Sequence, residues 1–579
     1  MTSVLLHFSW ILIFFIISLF FLLLSIYVSI TFRTLYFSFD MFSSWFLKLS
    51  VSFSFDMFSS WFRFIVSFIS FVIMLYSFFY MSPYSKPTYF IWLTVFFVLS
   101  ILIVINISNF FFLILGWDGL GLVSFFLIVY YQNSSSISSG LFTVLINRVG
   151  DCFFIISISL IVLTYPYLWD SYQSPDYVTA IFIVLTFITK RAIYPFSSWL
   201  PLAIAAPTPI SALVHSSTLV TAGLYLIMRF SFIIYYFSNL TVLLLVLSIF
   251  TSFYAGINSI FETDMKKLIA LSTLSHLGFI GISFSCGLLF LSFFHLLVHA
   301  LFKSVLFISI GDIMTNLFHS QDIRFLSSGY YFTTSSFYTI FVSLMNLLGL
   351  PTISGYFSKD LVLETCNFRN CSYFVVVLVY FNVIFTYYYT YKLFYYSFRT
   401  LKHSPYVLVN SRLLTHTLLL LTISVLGVFF GYFWINYINF YIIHVSVPLV
   451  WKQLPYFINL SIFLYLFINL KMFTLNKQLP FYFFSNMIFL SCVTITLISN
   501  MFIRVSFYSC KSSEFGLYND FINGSTSVIL NSISLNSSKL FSLNSLLLVF
   551  MSFFIVLVFI IVLLCSIAYY VQFLFVESL

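Results

Sequence analysis

The sequence predicts an all-α, polytopic membrane protein, and three observations predict it. Of its 579 residues 62% are hydrophobic and only 7% charged, with a mean hydropathy of +1.10; soluble domains carry roughly 25% charged residues. Apolar stretches of about 20 residues, the length that crosses the hydrocarbon core as a helix, recur from end to end. Strict polar/apolar alternation is missing, which argues against a β-barrel. Helices satisfy their own backbone hydrogen bonds, so lipid tolerates them.

Taken in order, the apolar runs predict about fifteen spans: 8–30, 63–81, 89–108, 110–131, 139–164, 178–200, 208–230, 238–260, 267–286, 289–315, 334–365, 373–398, 412–434, 456–474 and 545–572. The first is read as a span and not a removed signal, because no basic segment or small-residue cleavage site accompanies it. Between the first two spans the decapeptide FSFDMFSSWF occurs twice, at 37–46 and 53–62. It is a local duplication or the two strands of one ribbon at the membrane surface; it is too short to be a repeat architecture. The run 481–505 either spans or lies along the bilayer. Residues 506–544 are the most polar stretch, rich in Ser and Asn. The expected organisation is an N-terminal span and surface hairpin (1–62), a core of spans with short connections (63–400), additional transmembrane helices (401–475), a lateral or polar connecting segment (476–544) and a C-terminal transmembrane anchor (545–579).

The net charge is +9. The basic residues are too scattered to track phosphates, so loop charge and membrane orientation explain it and no nucleic-acid partner is expected. Seven cysteines (Cys152, Cys286, Cys366, Cys371, Cys492, Cys510, Cys565) form no CxxC pair. They read as structural thiols, without a zinc or iron–sulfur ligand set. No GxGxxG finger for a dinucleotide is present. The 81 Phe and 40 Tyr fit a T-rich, organelle-encoded gene.

The few charges carry the functional reading. A charge in hydrocarbon costs several kcal/mol, so an ionisable group inside a span is a functional candidate by default. In ITKRAIYPFSSWLPLAIAAPTPISALVHSS (188–217), Lys190 lies inside an apolar run and Pro195, Pro201, Pro207 and Pro209 come after it. Proline breaks a helix, and freed carbonyls at membrane depth are tolerated in buried or wet surroundings. Lys190 beside a broken helix is a candidate proton site; the competing reading is that Lys190 and Arg191 snorkel to an interface. His215 lies further along the same stretch. In FFHLLVHALFKSVLF (293–307), His295, His299 and Lys303 at i, i+4, i+8 line one helix face. Zinc is disfavoured, since no third ligand or HExxH accompanies the two histidines; a relay stripe is preferred over structural polar packing. In GLPTISGYFSKDLVLE (349–364), Gly349, Pro351 and Gly355 interrupt a second helix before Lys359 and Asp360, which could instead sit near a helix end. Two broken helices point to a transport pathway. Asp118 sits between apolar runs, and Arg148 and Asp151 share a helix face three residues apart. A carboxylate near Lys190 keeps it charged, and moving that carboxylate away favours release of the proton.

The segments GWDGLGLVSFFLI, NRVGD, PFSSWLPLAIAAPTPISALVHSSTLVTAGLYLIMR, KKLIALSTLSHLGF, HLLVHALFKSVLF and SGYFSKD, in this order, resemble the antiporter-like membrane subunits of proton-pumping NADH–ubiquinone oxidoreductase (respiratory complex I). The good match covers about residues 53–365, and PTPISALVHSSTLVTAG resembles the most distal of these subunits. The resemblance implies two inverted helix bundles containing broken helices and a C-terminal lateral or amphipathic segment. It places Asp118 and Lys190 on the family's acid–lysine pair, and Arg148 and Asp151 on the motif preceding Lys190. His215, His295, His299 and Lys303 fall on the central hydrophilic axis, with Lys359 and Asp360 on the terminal lysine–acid site. It implies a proton-translocating chain in the mitochondrial inner membrane with no cofactor of its own. NADH, FMN, iron–sulfur clusters and ubiquinone would sit elsewhere in the complex. The implied partners are other membrane-arm subunits, especially the chain 4 antiporter-like neighbour, and lipids such as cardiolipin. Four features depart from the family pattern: Asp118 where Glu is usual, Leu202 where Asp is usual, Arg191 beside Lys190, and one span instead of two before the FSFD segment. The alternatives are an Mrp-type cation/proton antiporter subunit and a scaffold that has lost its pump.

Overall fold

Long apolar runs with no polar partner in lipid leave the backbone only its own i→i−4 bonds, and the chain folds accordingly. The computed structural model describes residues 2–43, 48–82, 86–164, 176–317, 319–329, 334–350, 353–368, 373–398, 414–438, 449–468 and 498–510. Ten helices among the described residues are long and apolar enough to cross a membrane. The helices are α1 (Thr2–Thr31), α2 (Met57–Tyr80), α3 (Pro87–Asn106), α4 (Phe110–Ile128), α5 (Ser134–Thr164) and α6 (Tyr177–Lys190). Next are the short helix α7 (Trp199–Leu202) and a continuous rod made of α8 (Thr208–Ile210), the π-helix Ser211–Thr218 and α9 (Leu219–Arg229). Then come α10 (Ser231–Tyr236), α11 (Ser238–Phe261), α12 (Met265–Ser285), α13 (Leu289–Asn316), α14 (Thr334–Leu348), α15 (Ser354–Phe368), α16 (Tyr373–Phe398), α17 (Leu414–Ile438) and α18 (Leu449–Ile468).

Two compact units divide the chain. The first, Met1–Thr494, holds all of these helices; the second, Ile495–Leu579, has one described helix, α19 (Ile498–Cys510). Within the first unit the centre is α13 and the Thr208–Arg229 rod, whose apolar windows are wholly buried. The outer helices instead present large apolar side chains such as Leu5, Leu12 and Ile30 outward, as a bilayer-facing surface requires.

Helices form at most of the expected positions within the described residues, ten of them long and apolar enough to cross a membrane against the fifteen expected, with two differences in architecture. The expected span 178–200 stops as a helix at Lys190, and a 3-10 turn and α7 fill the rest. The expected span 334–365 is two helices, α14 and α15, parted at Gly349, whose φ of +70° suits glycine. Most of the expected lateral segment and the last span, 545–572, lie outside the described residues.

The duplicated decapeptide takes two structures. Strands β1 (Leu35–Ser43) and β2 (Lys48–Phe55) form an antiparallel ribbon, with Leu35 opposite Phe55 and an irregularity between Asp40 and Phe42. The first copy is strand over Phe37–Ser43. The second is strand only to Phe55, and helix α2 begins at Met57. The flanking sequences differ: Arg63 and a long apolar run succeed the second copy. Arg63 donates to the Ser54 carbonyl (2.5 Å) and to Ser59 Oγ (2.9 Å), and its guanidinium lies 4.0 Å over the Phe55 ring. Ser59 Oγ also accepts the Asp56 N–H (2.8 Å), satisfying a donor at the helix start. Tertiary context overrides local sequence here.

Candidate proton-translocation site

Two clusters of buried charge form. In the first, α6 ends by delivering Lys190 into the bundle. Its side chain is 1% exposed; Nζ donates to the Trp117 carbonyl (2.5 Å), stands 3.7 Å from the centre of the Trp117 ring and 3.9 Å from Asp151 Oδ1. Arg148 stands 3.4 Å from Asp151 Oδ2 and 3.7 Å from Asp118 Oδ1. The sequence pairs Lys190 with Asp118, whereas the structure seats Asp151 beside Lys190 and turns Asp118 to Arg148. The reason is depth: Asp151 is 8% exposed on α5, which packs along α6, while the Asp118 side chain is 39% exposed on α4. Breaking the chain after Lys190 frees backbone carbonyls, and Trp199 Nε1 donates to one of them, Thr189 (3.1 Å). Arg191 does not join the cluster. It is buried and donates to the Leu277 carbonyl of α12 (2.8 Å).

His215 lies in the π-helix, buried beside Ala203 and with its ring 6.3 Å from that of Trp199. Single π-turns inside longer helices are frequent at functional sites. Here Thr218 Oγ1 and Ser217 Oγ donate back to the Leu213 carbonyl (2.5 and 3.0 Å), competing with the regular ladder. This π-helix packs on α13, the helix that carries the second cluster.

The second cluster surrounds a cavity of about 20 Å³ lined by His276, His295, His299, Lys303, Asn346 and Lys359, among others; one water needs roughly 10–15 Å³. Lys303 donates to Ser272 Oγ of α12 (2.7 Å), and Lys359 to Thr386 Oγ1 of α16 (2.9 Å). Lys359 Nζ also lies 4.3 Å over the Tyr387 ring. His295 Nδ1 bonds Ser358 Oγ (2.9 Å). Asp360 neighbours Lys359 in sequence but takes the Tyr456 hydroxyl of α18 (3.1 Å). Hydroxyls and aromatic faces contact both amines, and Asp360 adds a negative charge near Lys359.

Sequence reasoning missed His276, and with it Ser272 and Thr386. Ser272 and His276 are four residues apart and share the α12 face toward α13, a signal present in KKLIALSTLSHLGF. Among the described residues no group of His, Cys, Asp and Glu is arranged to hold a metal.

A family profile described as NADH:quinone oxidoreductase/Mrp antiporter, TM, matches residues 107–386, the stretch that holds every site residue named above except Tyr387 and Tyr456. The chain is 36% identical over 528 residues to a protein from Anopheles gambiae named NADH-ubiquinone oxidoreductase chain 5, covering 86% of this chain and 89% of that one. A Locusta migratoria protein of the same name is 43% identical over 323 residues, 54% of this chain and 56% of that one, so that alignment spans little more than half of the locust protein. Among solved structures, a chain of the Mrp complex from Dietzia sp. superposes with a TM-score of 0.68 at 20% identity, covering 87% of this chain and 60% of that one. A chain of an archaeal membrane-bound sulfane sulfur reductase gives 0.65 at 20% identity, covering 74% and 90%. At that identity the likeness is one of fold. Fold and profile together define an antiporter-like, multi-pass membrane subunit. The chain belongs to the NADH-ubiquinone oxidoreductase chain 5 family.

Proposed function

We propose that this chain translocates protons in the membrane arm of respiratory NADH:ubiquinone oxidoreductase, in the mitochondrial inner membrane, driven by quinone reduction elsewhere in the complex. The observation that carries the reading is that Lys190, Lys303 and Lys359, each at most 3% exposed, lie within the two clusters of a chain with so few charges. A buried ammonium is expensive unless well paired, and a fold that keeps three of them near broken helices uses their charge. Asp118, Arg148 and Asp151 set the charge around Lys190. His215 leads toward α13, and His295, His299 and Lys303 carry the proton to Lys359 and Asp360. NADH, FMN, iron–sulfur clusters and ubiquinone belong to other subunits. The chain 4 antiporter-like subunit is the proposed neighbour, with lipids such as cardiolipin filling the outer apolar surface.

The experiment replaces Lys190 with Ala in the assembled complex and measures proton uptake against NADH–quinone turnover in sealed vesicles. The proposal expects assembly with proton pumping and coupled turnover both cut. Full pumping in that variant would overturn it.

A further inference from the structure

Histidine 276 stands on α12, across from the His295–His299 stripe of α13. Its ring centre is 5.7 Å from that of His295 and 5.7 Å from that of His299, so it faces both equally. It is 4% exposed and lines the cavity shared by those histidines with Lys303 and Lys359. Around this cavity four ring nitrogens have no protein partner: His276 Nε2, His295 Nε2 and both nitrogens of His299. A buried polar atom without a partner is costly, and buried histidines that serve only packing are ordinarily hydrogen-bonded. His295 is held through Nδ1 by Ser358, which leaves Nε2 as its open nitrogen. The side of the cluster toward α16 is formed by Tyr389, whose hydroxyl lies 3.4 Å from Ser275 Oγ and whose ring lies 5.9 Å from Lys303 Nζ.

We infer that His276 is a third imidazole of the proton path, exchanging a proton with His295 and His299 across the cavity and so linking Lys303 to Lys359. This rests on the relay reading proposed above. The step is a proton transfer between nitrogens: one imidazole N–H bond breaks as another forms, directly or through one water, and no electron moves. His295 and His299 are one helical turn apart on α13. A ring placed between them from the neighbouring helix gives a second route when either is rotated away. A residue that only packed there would need the ring's volume and polarity but not its titration.

The test compares His276→Gln and His276→Asn with the parent in the assembled complex reconstituted in vesicles. Protons moved per NADH are read as a function of pH, with assembly measured by complex abundance. The charged and titratable groups facing the position, His295, His299, Lys303, Lys359 and Tyr389, stay unaltered. Positioned acid–base groups contribute typically 100- to 10,000-fold; with a parallel route available, a loss of roughly tenfold in pumping rate and a displaced pH profile are expected. Pumping at the parent ratio with the parent pH profile in His276→Gln would overturn the inference. Loss of assembly in both variants would assign His276 to packing and overturn it equally. Lys303→Ala separates the two levels: if it too pumps fully, the relay reading itself has failed; if it stops pumping while His276→Gln does not, only the role of His276 has.

Discussion

Lys190 and Arg148 grip opposite oxygens of one carboxylate, that of Asp151, at 3.9 and 3.4 Å. Among the described ion pairs Asp118 meets Arg148 alone, at 3.7 Å, from a position where its side chain is 39% exposed. Asp151 is therefore the nearer anion to Lys190, and Asp118 is the more distant one of the same cluster. Removing one partner of a buried pair costs about 3–5 kcal/mol, whereas an exposed pair is worth about 0–1 kcal/mol. Asp151→Asn should depress pumping and the thermal stability of the complex far more than Asp118→Asn does. Equal effects of the two in paired pumping and melting measurements would contradict this ordering.

The hydroxyl partners of the second cluster make a separate prediction. Lys303 donates to Ser272 Oγ at 2.7 Å, and Ser272 lies on α12 rather than on the lysine's own helix. A hydrogen bond to a charged group contributes roughly 1.5–3 kcal/mol. Ser272→Ala should assemble and slow proton transfer by about tenfold or more, with Ser272→Thr retaining most of the rate. If the Ala variant pumps at the parent rate, the hydroxyl does not hold the amine in its working position.

How far the sequence anticipates this site depends on whether a signal is local. The His295, His299, Lys303 stripe follows from spacing along one helix, and α13 places all three inward. The two broken helices follow from Pro195 and Gly349, because proline and glycine act on the backbone at their own positions. Which acid meets Lys190 is a matter of how α4, α5 and α6 pack, and spacing within one helix cannot rank Asp118 against Asp151. His276 shares the difficulty, since its significance lies in rings on α13. The duplicated FSFDMFSSWF is the extreme case: Met41–Ser43 of the first copy is strand, whereas Met57–Ser59 of the second opens helix α2, where Arg63 donates to Ser54 and Ser59.

The break between α14 and α15 depends on a close approach of two backbones. A Cβ on Gly355 would collide with the carbonyl group of Asn346, whereas one on Gly121 would meet nothing within 4 Å. Backbone cannot swing aside as a side chain can, and overpacking costs typically about 1–3 kcal/mol or more. Gly355→Ala should shift α15, which carries Lys359, and lower both complex abundance and pumping. Gly121→Ala, with helix propensity in its favour, should leave abundance unchanged. Normal assembly and pumping in Gly355→Ala would show that the approach at Asn346 is not required.

Outside the spans, Glu262 gives a pH-dependent prediction. It comes directly after the last residue of α11, is 5% exposed, and burial pushes its carboxyl up from 4.5 to about 7, against the opposing pull of Lys267 and Lys392 and with Asp264 adding to the rise. Lys392 of α16 approaches the same corner, donating to the Ile260 and Glu262 carbonyls at 2.6 Å each and closing the end of α11. A carboxyl whose folded value is raised binds its proton more tightly folded than unfolded. Its favourable contribution is complete below pH 4.5 and is lost as pH rises through 7. At 1.36 kcal/mol per unit the loss amounts to a few kcal/mol at most. Glu262→Gln, which cannot ionise, should match the parent in thermal stability near pH 4 and exceed it at pH 8, flattening the fall in Tm between them. The measurement is the Tm of the detergent-solubilised complex across that range; parallel curves for parent and variant would show that Glu262 ionises without cost to the fold.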